Sequence, residues 1–120
     1  MEKLDPVGVE CVAGKRGETS DVLSIARLCG RSAYYVYRVL SARGDAAARE
    51  WWSSLKPHVR CVLESRWELR SLRETARECG VSLSTVKRIL KRFGDPWRDT
   101  YFVGQAAVDE YVERYLDDEW

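Results

Sequence analysis

The sequence predicts a mainly α-helical protein that contains two copies of one small module. The first observation is an internal repeat, because one constant shift along the chain places Cys11 on Cys61 and Cys29 on Cys79. The second is the helical spacing of the apolar residues in each copy. The third is an ordinary globular composition, with 45% hydrophobic and 32% charged residues and no apolar run of the roughly 18 residues that span a bilayer.

The repeat extends well beyond the cysteines. The same shift aligns residues 26–32 with residues 76–82, Arg16 with Arg66, and Gly44-Asp45 with Gly94-Asp95. Matches at Gly, Cys and apolar positions are those that a shared fold requires. We therefore predict a first module over residues 1–56, a second module over residues 57–103 and an extension over residues 104–120.

The elements are clearest in the second copy. Pro57 is suited to a helix start, and the residues that follow at helical spacing are Val59, Val62, Leu63 and Trp67. The next helix covers about 69–79, where Ser71 and Glu74 have the spacing of a capping box.

Gly80 supplies the positive φ that a helix C-terminus often requires. Either Ser82 or Ser84 then caps a third helix, which ends at residues 94–96 (Gly-Asp-Pro) and directs its apolar residues inward: Val86, Ile89 and Leu90. Two short helices joined by a tight turn that contains Gly form a helix-turn-helix.

Residues 76–90, with the sequence ARECGVSLSTVKRIL, resemble the helix-turn-helix of bacterial and archaeal DNA-binding proteins. Each matched element has a steric role: Ala76 lets the two helices approach, Gly80 makes the turn, and Val81 with Val86 and Ile89 fills the space between the helices. The resemblance is confined to this helix pair. It implies double-stranded DNA binding, with transcription regulation as the expected function.

The first copy departs from this pattern. Arg31 occupies the position of Val81, and Tyr34, Tyr35 and Tyr37 replace the polar residues of the second copy. Two interpretations stay open. In the first interpretation, DNA is contacted by Ser32, the three tyrosines and Arg38. In the second, the three tyrosines form a packing surface for the other module or for a protein partner.

Two further segments complete the prediction. Residues 97–104 are either a short β-wing or aromatic residues that cap the core, whereas residues 46–52 are rich in Ala and favour a helix. Residues 104–120 predict an acidic amphipathic C-terminal helix, which either docks within the chain or pairs with its twin in a homodimer.

Charge is divided unevenly along the chain. The net formal charge of +1 is the sum of +2 over residues 1–59, +5 over residues 60–98 and −6 over residues 99–120. Basic side chains around a recognition helix neutralise phosphates, and residues near its start reach base edges. The residues expected at bases or adjacent phosphates are Ser82, Ser84, Thr85, Lys87 and Arg88. Those expected at the DNA backbone are Lys91, Arg92, Arg73 and Arg77.

Two other classes of function remain as alternatives: a DNA-binding adaptor for plasmid partition, replication or viral packaging, and a protein-binding module that keeps the fold. Enzyme chemistry is not expected, because residues 13–17 lack the spacing of a phosphate-binding loop and His58 is the only histidine. A zinc site is disfavoured because no two cysteines have Cys-x-x-Cys spacing and His58 is alone, and no cofactor is expected.

Two interpretations of the four cysteines remain. The preferred interpretation is that they are small buried hydrophobic residues with free thiols. The other is a disulfide within each copy, Cys11–Cys29 and Cys61–Cys79. Such bonds are rare in the cytosol except in hyperthermophiles. The chain has no Asn and a single Gln, which indicates a thermophilic source. Residues 1–6 lack the apolar region of a signal peptide, so a cytoplasmic location and no membrane association are expected.

Overall fold

The structure is a computed structural model that describes residues 6–97 and residue 99. This part of the chain is helical and contains no strand, which confirms the mainly α prediction. Its seven helices are α1 (Pro6–Arg16), α2 (Val22–Cys29), α3 (Ala33–Ala42), α4 (Ala46–Ser54), α5 (Pro57–Trp67), α6 (Leu72–Cys79) and α7 (Leu83–Phe93). None of these helices is long and apolar enough to cross a membrane.

The internal repeat of the sequence is also a repeat of local structure. Helices α2 and α6 begin and end at positions that the repeat aligns, and α3 and α7 begin at aligned positions. Within each copy the first helix packs on the second, and both pack on the third. Helix α4 extends the first copy, as expected from its Ala-rich sequence.

The predicted signals for helix ends are confirmed. Ser71 Oγ accepts a hydrogen bond from Glu74 N at 3.0 Å, and Glu74 Oε1 accepts one from Ser71 N at 3.1 Å, so the capping box at the start of α6 is complete. Gly80 ends α6 with a φ of 65°. Of the two candidate caps for α7, the residue that caps is Ser82, whose Oγ accepts from Thr85 N at 3.1 Å.

One hydrophobic core lies under both copies. The apolar residues predicted to face inward from α7, Val86, Ile89 and Leu90, are all buried. The residues of α3 at the matching sequence positions are buried as well, with Val36 fully covered. The aromatic and β-branched content of the helices therefore serves mainly to fill the space between them.

All four cysteines form disulfides, Cys11–Cys29 and Cys61–Cys79. The preferred interpretation of free buried cysteines is therefore wrong, and the alternative is correct. Each bond joins the first helix of its copy to the second. The reason is geometric: packing of these helices brings the Cα atoms to 5.8 Å in the first copy and 5.7 Å in the second, within the range that a disulfide spans.

Two predicted segments lie largely or wholly outside the described residues. The expected C-terminal helix over residues 104–120 lies entirely outside them. Of the candidate β-wing over residues 97–104, only Trp97 and Asp99 are described, and both have 3-10 helical conformation together with Pro96. The wing and the helix therefore stay predictions.

Candidate nucleic-acid interface

Helix α7 has one apolar and one polar face. Its apolar side chains are buried against the first two helices of its copy, and Phe93 at its end also contacts Trp51 of α4, with 6.2 Å between ring centroids. The predicted DNA-binding residues of this helix lie on the other side. Five are exposed, Ser82, Ser84, Arg88, Lys91 and Arg92, and two are partly exposed, Thr85 and Lys87. This division follows from the 3.6-residue period, which separates Val86 and Ile89 from the polar positions between them.

The start of α7 holds a small polar network. Ser82 Oγ lies 2.9 Å from Thr85 Oγ1, and Arg88 Nη2 donates to the same Thr85 oxygen at 3.0 Å. The guanidinium of Arg88 is thereby directed toward the first turn of the helix. A planar donor fixed beside a helix N-terminus is suited to base edges and to phosphate oxygens.

Helix α6 adds two arginines to this region. Arg73 and Arg77 are separated by one helical turn, so they lie on one face of α6, and both are exposed. Helix α6 packs on α7, and the tight turn at Gly80 joins the two helices. Arg73 and Arg77 therefore lie on the helix pair that also carries the polar face of α7. The two side chains predicted to contact the DNA backbone from α6 are therefore accessible to solvent.

The predicted face of the first copy is mostly buried. Ser32, Tyr34 and Tyr35 are 3%, 5% and 0% exposed, so none of them is accessible for the predicted DNA contact, and the two tyrosines are not accessible to a protein partner. Burial also raises the pKa of Tyr34 to about 12, because the phenolate is poorly solvated there.

The first copy differs because other helices cover α3. The ring of Tyr34 packs against Trp67 of α5 at 5.4 Å, and the ring of Tyr37 stacks on Trp52 of α4 at 4.7 Å between centroids. Of the alternatives predicted for the tyrosines of this copy, packing against the second copy is the alternative that the structure shows for Tyr34. Tyr37 stays partly exposed, and Arg38 is exposed with its guanidinium 5.8 Å from the ring of Trp67.

A buried ion pair fixes the end of α7, and sequence reasoning missed it. Arg66 Nε donates to Asp95 Oδ1 at 3.0 Å, and Arg66 Nη2 donates to Asp95 Oδ2 at 2.7 Å. The third donor, Arg66 Nη1, binds the carbonyl oxygen of Arg70 at 2.8 Å. The signal that could have revealed this pair was present, since the repeat aligns Arg66 with Arg16 and Asp95 with Asp45.

Within the described part of the chain, no group of three or more His, Cys, Asp or Glu side chains is placed to hold a metal ion. No protein-family model, curated protein or solved structure matches this chain.

Proposed function

We propose that this protein binds double-stranded DNA in a sequence-specific manner and acts as a transcription regulator. Helices α6 and α7 would form a helix-turn-helix, with α7 as the recognition helix in the major groove. The observation that carries the proposal is the division of α7 into a buried apolar face and an exposed face that bears hydroxyls and cations.

The polar face of α7 supplies both kinds of contact that a DNA reader requires. A major groove admits one α-helix, and side chains near the helix start reach base edges. Ser84 is exposed at the first turn, and Arg88 is oriented by its hydrogen bond to Thr85. An arginine in this position pairs best with the two acceptors of a guanine.

Cations outside the helix start would hold the duplex by its phosphates. Lys91 and Arg92 lie in the last turn of α7, and Arg73 and Arg77 lie on α6. Such contacts fix the register of a protein on DNA without reading sequence, and they release counterions when they form. The binding constant is accordingly expected to fall steeply as salt concentration rises.

The fold makes the two copies unequal as readers. The third helix of the first copy is covered by α4 and α5, whereas the polar face of α7 is open. We therefore assign base recognition to the second copy alone and a supporting role to α3.

The test is selection of bound duplexes from a random pool, followed by fluorescence anisotropy with the enriched sequence. Replacing Arg88 with Ala should weaken binding by about 1–3 kcal/mol and relax the preference at one base pair. The control is Arg49→Ala, since Arg49 is an exposed arginine on α4 whose guanidinium donates to the carbonyl oxygen of Ser41. Absence of salt-dependent binding to any duplex would exclude the proposal and leave a protein-binding module as the alternative.

A further inference from the structure

A cleft with a volume of about 340 Å³ lies where the two copies meet. One wall is the end of α2 with the turn that follows it, which contributes Arg27, Gly30 and Arg31. The other wall is the last turn of α7, which contributes Lys91 and Arg92, and Asp99 also lines the cleft. The cleft thus draws two cationic side chains from each copy.

The carboxylates in this cleft do little to offset its positive charge. Asp95 already accepts two hydrogen bonds from the guanidinium of the buried Arg66, so its charge is balanced within the protein. Asp99 accepts hydrogen bonds from the hydroxyl and the backbone N–H of Ser32, and burial raises its pKa to about 7. Asp99 is therefore only partly ionised at neutral pH.

Four cations around one cleft create a positive potential that favours an anion between them. Arginine is the residue best suited to phosphate, because its planar guanidinium donates two parallel hydrogen bonds to two oxygens. Arg27 lies in the last turn of α2 and Arg31 directly follows the Gly30 cap, so both residues belong to one short segment. At the position that the repeat aligns with Arg31, the second copy has the partly buried Val81.

We propose that this cleft binds a phosphate group of the DNA backbone. The first copy then contributes to duplex binding through the end of α2 and the turn before α3 rather than through α3 itself. This inference rests on the proposed function, since it places Lys91 and Arg92 at the duplex, and it adds Arg27 and Arg31 as their partners from the first copy.

The decisive variant is Arg27→Ala combined with Arg31→Val, which places the residue of the second copy at position 31. The slope of log K against log salt is negative, and loss of two phosphate contacts should reduce its magnitude by about 2. Binding should weaken by a similar factor for the selected duplex and for a random duplex, because phosphate contacts carry no sequence information. Arg49→Ala serves as the matched control and should change neither quantity.

Arg31 lies 5.6 Å from the ring of Tyr35, so its replacement affects packing as well as charge. Arg27→Ala alone, at an exposed position, provides a second variant. It should reduce the magnitude of the salt slope by about 1. Urea unfolding of each variant checks that the fold is retained. A folded variant with an unchanged salt slope would overturn the proposal while leaving the proposed function intact.

Titration of the full chain with inorganic phosphate, followed by amide chemical shifts in NMR spectra, separates the cleft from the proposed function. Shifts centred on Gly30, Arg31 and Arg92 that disappear in the Arg27→Ala variant support an anion site. Phosphate binding without duplex binding would keep the anion site but reject DNA as its occupant. Failure of both phosphate and duplex to bind would reject the inference and the proposed function together.

Discussion

Arg66 and Asp95 form a buried two-point ion pair that joins the first helix of the second copy to the turn after its third. The side chains are 0% and 4% exposed. The first copy contains the same pair in a more exposed setting: Arg16 Nε donates to Asp45 Oδ2 at 2.6 Å. Each pair spans 29 residues, so the repeat preserves a tertiary contact as well as a sequence pattern.

Replacing Arg66 with Met should destabilise the protein by about 3–5 kcal/mol, because Asp95 would stay buried without its partner charge. The double variant Arg66→Met with Asp95→Leu removes both charges and should recover much of this loss. Urea unfolding followed by circular dichroism measures all three free energies. A loss below about 1 kcal/mol for Arg66→Met would show that water compensates Asp95.

The equivalent change in the first copy should cost less. The side chain of Arg16 is 33% exposed and that of Asp45 is 14% exposed, so solvent screens both charges. The hydrogen bond from Arg16 holds the pKa of Asp45 below its usual value, which shows the same direction of coupling. In the same urea measurement, Arg16→Met should destabilise by no more than about 1 kcal/mol. Equal losses at Arg16 and Arg66 would contradict the assigned role of burial.

Each disulfide should contribute about 3 kcal/mol to stability, since the bonded cysteines are 18 residues apart and the cross-link limits the unfolded chain. Unfolding in urea with and without a thiol reductant measures the combined effect, and the variant Cys61→Ala with Cys79→Ala isolates one bond. Thiol titration of the unreduced, denatured protein should detect no free thiol. Four free thiols in that titration would rule out both bonds.

The order of the helices and most of their ends in the second copy were predictable from sequence because local signals define them, although α6 begins at Leu72 rather than near residue 69. Ser71 with Glu74, Gly80 and Ser82 each act on the backbone within a few residues, so the helix pair α6–α7 is specified by its own segment. The repeat then extended the same prediction to α2 and α3. The polar face of α7 followed from periodicity alone.

The environment of α3 was not predictable in the same way. Tyr34 and Tyr35 occupy positions that are polar and at least partly exposed on α7, yet both are buried, and the ring of Tyr34 packs against Trp52 of α4 and Trp67 of α5. Contacts between elements distant in sequence, such as Tyr34 with Trp67, leave no signature in a single helix. The cleft that unites Arg31 with Arg92 was missed for the same reason.

Two glycines offer a matched test of backbone conformation. A Cβ atom added at Gly80 or at Gly14 would meet no atom within 4 Å, so neither substitution creates a clash. Gly80 has a φ of 65°, and Ala there should destabilise by about 1 kcal/mol. Gly14 lies inside α1, and Ala there should stabilise by about 0.5–1 kcal/mol. Opposite signs in urea unfolding confirm the assignment, whereas stabilisation by Ala at position 80 would contradict the helix end at Gly80.

Asp99 should make the stability of the protein depend on pH between about 4 and 7. Burial raises its pKa in the folded protein from 3.8 to about 7, while hydrogen bonds from Ser32 and the charge of Arg31 act in the opposite direction and the nearby Asp95 raises it further. In this pH range the folded state therefore holds a proton that the unfolded state releases, so protonated Asp99 favours the fold at low pH.

That contribution should be lost as pH rises from about 4 to about 7, at a rate of at most about 1.4 kcal/mol per pH unit. Asp99→Asn removes the titration while keeping an acceptor for the Ser32 hydroxyl. The free energy of unfolding of this variant should match that of the parent near pH 4 and exceed it at pH 8. Urea unfolding at four pH values between 4 and 8 measures the difference, in which the other titrating groups cancel. Parallel pH profiles for the two proteins would mean that Asp99 is already ionised in the folded state at pH 4.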